Sequence, residues 1–503
     1  MTTEASDWQR VSPLFTIHHL LGFLRELANT NPGALAGMAA GGYAFVSRAP
    51  VLAGMAAVLL ALLGIGLLIA AWMRFRYRVQ ADAIQLQQGV FTRQRLTLQF
   101  ERIQNIRIER PPYLRIFGLA RLSIESAGSV SQEVHLPGIP EAMAENLRDQ
   151  ALAAGQFQEP SEQGDAEAEA ETARTPHYTT LLTRRPRDII IYGISSPIIL
   201  WGAVVISSIL GVVTQRFEPE DNGNGEEQLQ ALIPDAMAVA WVVVPFLALV
   251  LILLVVMSII MALVRYHGYR LEHDEDRYRL HSGLLTRREQ MVRHHKIQHL
   301  HLAQNMVARF FRRRHLNCYQ IGSMGADLPD GSGNSLVAPA LTMAEQHAMV
   351  SRLCPGLDLN NLVFTPVSPR YMIPKGLFWF SIWLGLLMVA VAGALPILPI
   401  LILAPVLAAL IRKNWRRQGW AMEGDYLVLR GGLFGCHYTL FSGFRGQKLR
   451  LYQSPLQRRV GLGNLVIRLS SGGFIIPYIP YEQGQQLLDR LVHDMEHSKA
   501  PWL

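Results

Sequence analysis

Along this chain, apolar runs long enough to cross a bilayer alternate with blocks in which apolar and polar residues take turns. A membrane-crossing helix needs about 20 mostly apolar residues. The clearest runs cover residues 51–73, 189–213 and 236–264. A longer run over 376–411 holds Pro396 and Pro399 near its middle. Proline removes a helical hydrogen bond, so this run predicts two helices joined by a tight turn. A Gly- and Ala-rich stretch over 32–47 completes a first hairpin with 51–73, with Ser47, Arg48 and Pro50 at the turn. Small residues let membrane helices pack closely. The pattern predicts six transmembrane helices in three hairpins. Ahead of them, Leu14 to Leu27 is amphipathic and suits a segment lying along the interface, so residues 1–31 read as an N-terminal interfacial segment.

The intervening blocks read as β. Tyr77 to Asp82 followed by Ile84 to Gly89 is strand, turn, strand, and Trp420 to Asp425 followed by Tyr426 to Gly431 repeats it. Apolar residues alternate at matched places, at Ile106 and Ile108, Leu300 and Leu302, and Leu449 and Leu451. Such alternation marks a half-buried strand. Each block closes with a predicted helix, over 140–154, 342–353 and 481–497; Thr342 and Glu345 have capping-box spacing at the second.

A four-residue signature recurs at fixed offsets in the blocks. It is Asp82, Gly89, Gln104 and Arg115 in the first, Asp276, Gly283, Gln298 and Arg309 in the second, and Asp425, Gly432, Gln447 and Arg458 in the third. One module was therefore used three times, each time beside a membrane anchor. The aspartates suit turns, and the glycines suit a positive φ at strand ends. The glutamines suit loop backbone groups or a partner. The arginines suit an ion pair within the fold or a lipid phosphate.

The resulting organisation is hairpin 1 over 32–73, module 1 over 74–154, an acidic linker over 155–176, hairpin 2 over 189–264 with an acidic external loop over 214–235, module 2 over 265–354, hairpin 3 over 376–411 and module 3 over 412–497. The fold class is an α+β membrane protein, each hairpin followed by a β-sandwich or barrel with a C-terminal helix. Arg102–Ile108, Lys296–Leu302 and Gly446–Leu451, with Gln453 to Gly463 downstream, resemble the signature of the bacterial pleckstrin-homology-like domain. Three such domains, each after a hairpin, resemble the YdbT-type membrane proteins. The resemblance implies a PH-like fold and a membrane location and no defined catalytic activity. Arg312 stands where the other copies have Gly118 and Gly461.

Half of the 503 residues are hydrophobic and 17% are charged, too apolar for an ordinary soluble protein. The net charge of +8 gathers at the ends of the apolar runs: Arg74, Arg76 and Arg78; Arg184, Arg185 and Arg187; Arg412, Lys413, Arg416 and Arg417. The positive-inside rule then puts modules and termini in the cytoplasm of a bacterial inner membrane. Cys318, Cys354 and Cys436 lie in the modules, which fits a reducing compartment. The N-terminus has no basic n-region, so no cleavable signal peptide is expected.

The helix-end residues Arg74, Arg76, Arg78, Arg412, Lys413, Arg416 and Arg417, with Arg312, Arg313 and Arg314 in the run from Arg309 to His315, are candidates for lipid headgroups. His295, His299 and His301 would share a face of one strand and are weak metal candidates. No nucleotide, hydrolase or zinc-protease motif is present, so no cofactor and no catalytic residue is assigned. The expectation is a non-enzymatic membrane scaffold or binding module. Its partners would be membrane lipids and a membrane protein or a copy of itself, with no nucleic acid. A transporter or lipid-handling protein, and a metal-dependent membrane enzyme, stand as alternatives.

Overall fold

A computed structural model describes residues 8–13, 16, 50–80, 83–90, 92–100, 103–126, 133–154, 178–195, 225–274, 277–320, 335–391, 397–433 and 435–497. They fall into two compact units. The first holds residues up to Thr179 with Leu271–Asp274 and Arg279–Met291, and the second holds the rest.

In the first unit, β1 (Gln9–Arg10) precedes α1 (Pro50–Arg74), and β2 (Arg76–Val79), β3 (Ala83–Gln88) and β4 (Gln94–Gln99) follow it. These strands form one sheet in the order β1-β2-β3-β4. Next come β5 (Ile103–Arg110), the one-turn helix α2 (Pro112–Arg115), β6 (Leu119–Ser126), β7 (Glu133–Pro140) and α3 (Glu141–Ala154). Period-two alternation turns Ile84, Leu86 and Leu98 of one sheet and Ile106, Ile108, Leu122 and Leu136 of the other into a single core, closed by Leu147 of α3. Each such fully buried side chain contributes about 1.5–3 kcal/mol.

The chain continues through β8 (Thr179–Thr183), α4 (Pro186–Ile194), α5 (Gly225–Tyr266), β9 (Arg270–Asp274), β10 (Arg277–Ser282) and β11 (Arg287–Arg293). Instead of ending at β5, the first module's second sheet goes on into the second module. β11 lies antiparallel along β5, with Arg287 opposite Arg110 and Gln290 opposite Arg107.

The second unit repeats this arrangement one module later. β12 (Ile297–Gln304), α6 (Met306–Phe310), β13 (Arg314–Gln320), β14 (Ser335–Leu341) and α7 (Met343–Leu353) complete module 2. Then come β15 (Thr365–Pro366), α8 (Met372–Val391), α9 (Ile397–Arg417), β16 (Gly419–Glu423), β17 (Tyr426–Gly431) and β18 (Cys436–Ser442). A seven-stranded sheet runs β14-β13-β12-β18-β17-β16-β15. At its centre Leu300 faces Leu440, and Gln304 faces Cys436. The last strands, β19 (Lys448–Tyr452), β20 (Leu462–Leu469) and β21 (Gly472–Pro480), form their own sheet, with α10 (Pro455–Arg458) between β19 and β20 and α11 (Tyr481–His497) after β21. Leu427 and Phe441, Leu465 and Ile467, and Leu487 and Leu491 of α11 share the third core.

Several expectations meet the structure directly. The closing helices begin and end within a residue of the predicted bounds, and Thr342 and Glu345 make the full capping box. Gly89, Gly283 and Gly432 have φ of 108°, 109° and 121°. A Cβ on Gly89 would stand 1.9 Å from the Thr92 carbonyl oxygen, so glycine is required there.

Other expectations change. Among the described residues two helices are long and apolar enough to cross a membrane, Ala248–Tyr266 and Pro369–Val391, where six were expected; a shorter apolar helix covers Leu62–Arg74. The segment 32–47 and residues 196–213 lie outside the described residues. α9 ends in Arg412, Lys413, Arg416 and Arg417, charges that cut short its apolar length. The second half of the expected acidic loop is helical, because α5 begins at Gly225, where Glu226 and Glu227 favour a helix N-terminus.

Candidate functional site

The repeated arginines mark the same surface feature in each module. After β5, β12 and β19 the chain makes a single helical turn and leaves it through a left-handed residue. That residue is Gly118 (φ 66°), Arg312 (φ 52°) or Gly461 (φ 63°). Its N–H donates to the carbonyl of the signature arginine: Gly118 to Arg115 at 3.0 Å, Arg312 to Arg309 at 3.0 Å and Gly461 to Arg458 at 3.4 Å. The second module keeps the geometry without glycine, at the steric cost a Cβ brings in this region.

Local sequence starts each turn. Pro111 and Pro112 preset the first. Asn305 caps the second, its side chain accepting from the Ala308 N–H at 2.9 Å. Ser454 and Gln457 form a capping box on the third. One side chain anchors each turn inward: Leu114, Ala308 or Gln457. Arg115, Arg309 and Arg458 are exposed in all three copies. Apolar neighbours are exposed with them: Ile116 (80%) and Phe117 (63%), Phe310 (83%) and Phe311 (39%), Leu456 (75%) and Val460 (38%).

Folding each block into strand, turn, strand and closing helix three times over is the architecture a family model captures. The model for the bacterial PH domain matches residues 31–154, 231–350 and 376–495. The chain belongs to the bacterial PH domain family. It is also similar to the UPF0699 transmembrane protein YdbT of Bacillus subtilis (strain 168), with 21% identity over 406 residues covering 78% of each chain. No solved structure matches it. The chain is thus a YdbT-like protein with three bacterial PH domains.

The turn of the second PH domain is fixed against the pair of helices α4 and α5. α4 packs on α5 so closely that a Cβ on Gly193 would lie 2.8 Å from the Ile259 Cα. The Ser258 hydroxyl donates to the Gly193 carbonyl at 2.7 Å. The Asn305 side-chain amide, at the start of the turn, donates to the Ser195 carbonyl at the end of α4. Arg313, just past the turn, pairs with Asp188 of α4 at 3.0 Å. Ser258 lies inside the apolar stretch Ala248–Tyr266. At 1.5 Å per residue its eight-residue distance from Tyr266 is about 12 Å along the helix.

The basic candidates divide. Arg74, Arg76, Arg312, Arg412, Lys413 and Arg416 are exposed, and Arg78 is half-buried. Arg313 is held by Asp188, and Arg314 donates to Gln346 at 2.8 Å and lies over the Tyr438 ring. Arg417 donates to the Gly435 carbonyl at 2.7 Å.

Two of the signature glutamines stand at bulges, and one signature aspartate stands in a turn. Gln104 and Gln298 stand where a register shift interrupts the pairing of β5 with β6 and of β12 with β13, so each is the extra residue of a bulge. Gln298 is buried, whereas Gln447 is exposed and its N–H donates to the Arg468 carbonyl at 2.8 Å just before β19. Asp425 occupies the turn between β16 and β17, and its carbonyl accepts from the Gly443 N–H at 2.8 Å; Asp82 and Asp276 lie outside the described residues.

The histidines do not converge. His295 sits in a 3-10 turn, not on the strand with His299 and His301. The His299 ring stacks on Tyr319 at 4.4 Å, meets Phe474 edge-on at 4.9 Å and bonds the Ser471 hydroxyl through Nδ1 at 2.6 Å. His301 Nδ1 bonds the Thr439 hydroxyl at 3.2 Å. Among the described residues no group of three or more His, Cys, Asp or Glu side chains is placed to hold a metal. Burial pushes the His299 imidazole down to about 3, with His301 adding to the effect. Its ring therefore serves as neutral packing.

Sequence reading missed two parts of this picture. Short strands β1, β8 and β15 precede α1, α4 and α8 and pair with β2, β9 and β16. The shared Val11-Ser12-Pro13 and Val367-Ser368-Pro369 were the available signal. The exposed apolar residues beside each signature arginine were legible only as a repeat, since any one of them reads equally well as core.

Proposed function

We propose that this chain is a non-enzymatic multi-pass protein of the bacterial inner membrane. In this reading its cytoplasmic PH domains form a scaffold that rests on the anionic leaflet through the repeated surface turns. The single observation behind it is the turn Arg309-Phe310-Phe311, fastened through Asn305 to a helix that packs beside an apolar stretch. An aromatic pair exposed there gains by leaving water for the headgroup boundary, and the arginine beside it meets phosphate. The same mixture of arginine and apolar side chains on the other two turns extends the contact.

An environment-sensitive fluorophore on Phe310→Cys tests it, with Cys436→Ser as background. Cys318 and Cys354 are buried, and their thiols are pushed up by burial and stay unlabelled. In the full chain reconstituted in bilayers the probe should emit blue-shifted and be quenched by brominated lipid. A probe on Arg352→Cys, at the far end of α7, is the water-exposed reference. Replacing Arg115, Arg309 and Arg458 with Gln should weaken the preference for anionic over neutral lipid by about 1 kcal/mol per residue. Equal quenching at both probe positions would refute the membrane-resting turn.

A further inference from the structure

Each PH domain in this chain carries two sheet edges of opposite kind. One belongs to the third strand of the post-hairpin sheet: β4, β11 or β18. The other belongs to the first strand of the following sheet: β5, β12 or β19. Inside the chain these edges mate. β5 takes β11, and β12 takes β18.

The two junctions share one register. Arg287, four residues after Gly283, faces Arg110, six residues after Gln104. Cys436, four residues after Gly432, faces Gln304, six residues after Gln298. The rule is thus built into the module: the residue four past the signature glycine meets the residue six past the signature glutamine.

Among the described residues two such edges are left over. β4 ends its sheet beyond β3, and β19 ends its sheet before β20. Both are of the mating kind, and one chain offers one of each. An unpaired edge presents a row of N–H and C=O groups that templates a further strand. We propose that β19 of one copy pairs antiparallel with β4 of another, in the same register, so that copies join head to tail. Arg93 then faces the neighbour's Gln453, Gln94 its Tyr452, Leu96 its Arg450 and Leu98 its Lys448.

The side chains fit this pairing. Lys448, Arg450 and Tyr452 are exposed on β19, and Gln94, Arg95 and Thr97 on β4. No basic residue stands directly opposite another in the stated pairs. The first internal junction tolerates more than that, because Arg287 there stands opposite Arg110. The contact is heterologous: the two faces differ, so addition of copies closes a ring or continues as a row.

Site-specific disulfide formation tests the register. Two differently tagged full-length chains, one Gln94→Cys and one Tyr452→Cys, both with Cys436→Ser, are co-expressed and oxidised in native membranes. Both positions are exposed, so neither change should disturb folding, and equal melting temperatures of the variants check this. The expected result is a disulfide joining the two tags. The pair Gln94→Cys with Lys448→Cys is four residues out of register, about 13 Å at strand rise, beyond the reach of a disulfide, and should link at least about tenfold less. A chain carrying Gln94→Cys and Tyr452→Cys together should give a ladder of linked copies. Four results would overturn the proposal: no linkage between properly folded variants, equal linkage of the matched and shifted pairs, a purely intrachain disulfide in the double variant, or linkage of either cysteine to a different protein instead of a second copy.

Discussion

His315 shows how much one buried ring can hold. Its Nδ1 accepts the Ala340 N–H at 3.1 Å, so the neutral ring carries its proton on Nε2. Ala340 sits in the left-handed region at φ 49°, and its carbonyl accepts from Arg313 at 3.3 Å. Protonating Nδ1 would break the first of these bonds. Burial, with Arg184 adding to it, lowers the His315 pKa to about 4, against about 6.5 for an unfolded histidine. The sign follows from proton counting. Between pH 6.5 and 4 the unfolded chain binds more protons than the folded one, so stability falls as pH drops through that window. The loss reaches about 3 kcal/mol for a group whose pKa moves this far. Thermal unfolding of the detergent-solubilised chain should therefore be level above about pH 6.5 and decline toward pH 4.5, and His315→Gln should flatten part of the decline. A profile unchanged by that substitution would place the proton sensitivity elsewhere, His299 being the next site.

At the scale of elements, the first joint between modules is a sheet locked by charge. Glu289 on β11 is 8% exposed and receives Arg148 at 2.8 Å and Arg279 at 2.7 Å, with Arg110 of β5 at 3.9 Å. Removing this buried acid takes a close charge partner from several guanidiniums at once, which costs up to about 3–5 kcal/mol. Glu289→Gln should thus lower the melting temperature sharply. Glu141, whose side chain is 43% exposed, also pairs with Arg110, and Glu141→Gln should cost at most about 1 kcal/mol. Comparable losses for the two would mean that the joint is not where the charge matters. Sequence reading found the elements well. Period-two alternation at Ile106 and Ile108 and the cap at Thr342 are local signals, and they placed strands and closing helices. It did not find the joints. Glu289 gives no local hint that its partners are Arg110 and Arg148, because strand pairing across such separations leaves no period in the sequence. It also placed His295 on a strand, where a 3-10 turn before β12 breaks the alternation.

At the scale of the whole molecule, the sequence repeat and the folded piece do not coincide. Residues 265–354 read as one module in the sequence. Cut out alone, they would leave β11 without β5 and β12 without β18, two bare edges on one small domain. That fragment should be aggregation-prone, and a longer piece that keeps β12 joined to β18, residues 178–497, should be better behaved in detergent; size-exclusion profiles of the two compare them. A monodisperse, cooperatively melting 265–354 fragment would show that each module is self-sufficient.

The same joints set a timetable for synthesis. β5 leaves the ribosome about 180 residues before β11, and a bacterial ribosome adds roughly 5–20 residues per second, so the strand waits on the order of ten seconds or more for its mate. Apolar segments must enter the membrane during that interval. The arginines and glutamate on β5, Arg107, Glu109 and Arg110, are then exposed charges on an open strand, and charge is what keeps such a strand from joining the wrong one. Residues that end as ion-pair partners in the finished protein thus begin as guards of a nascent one.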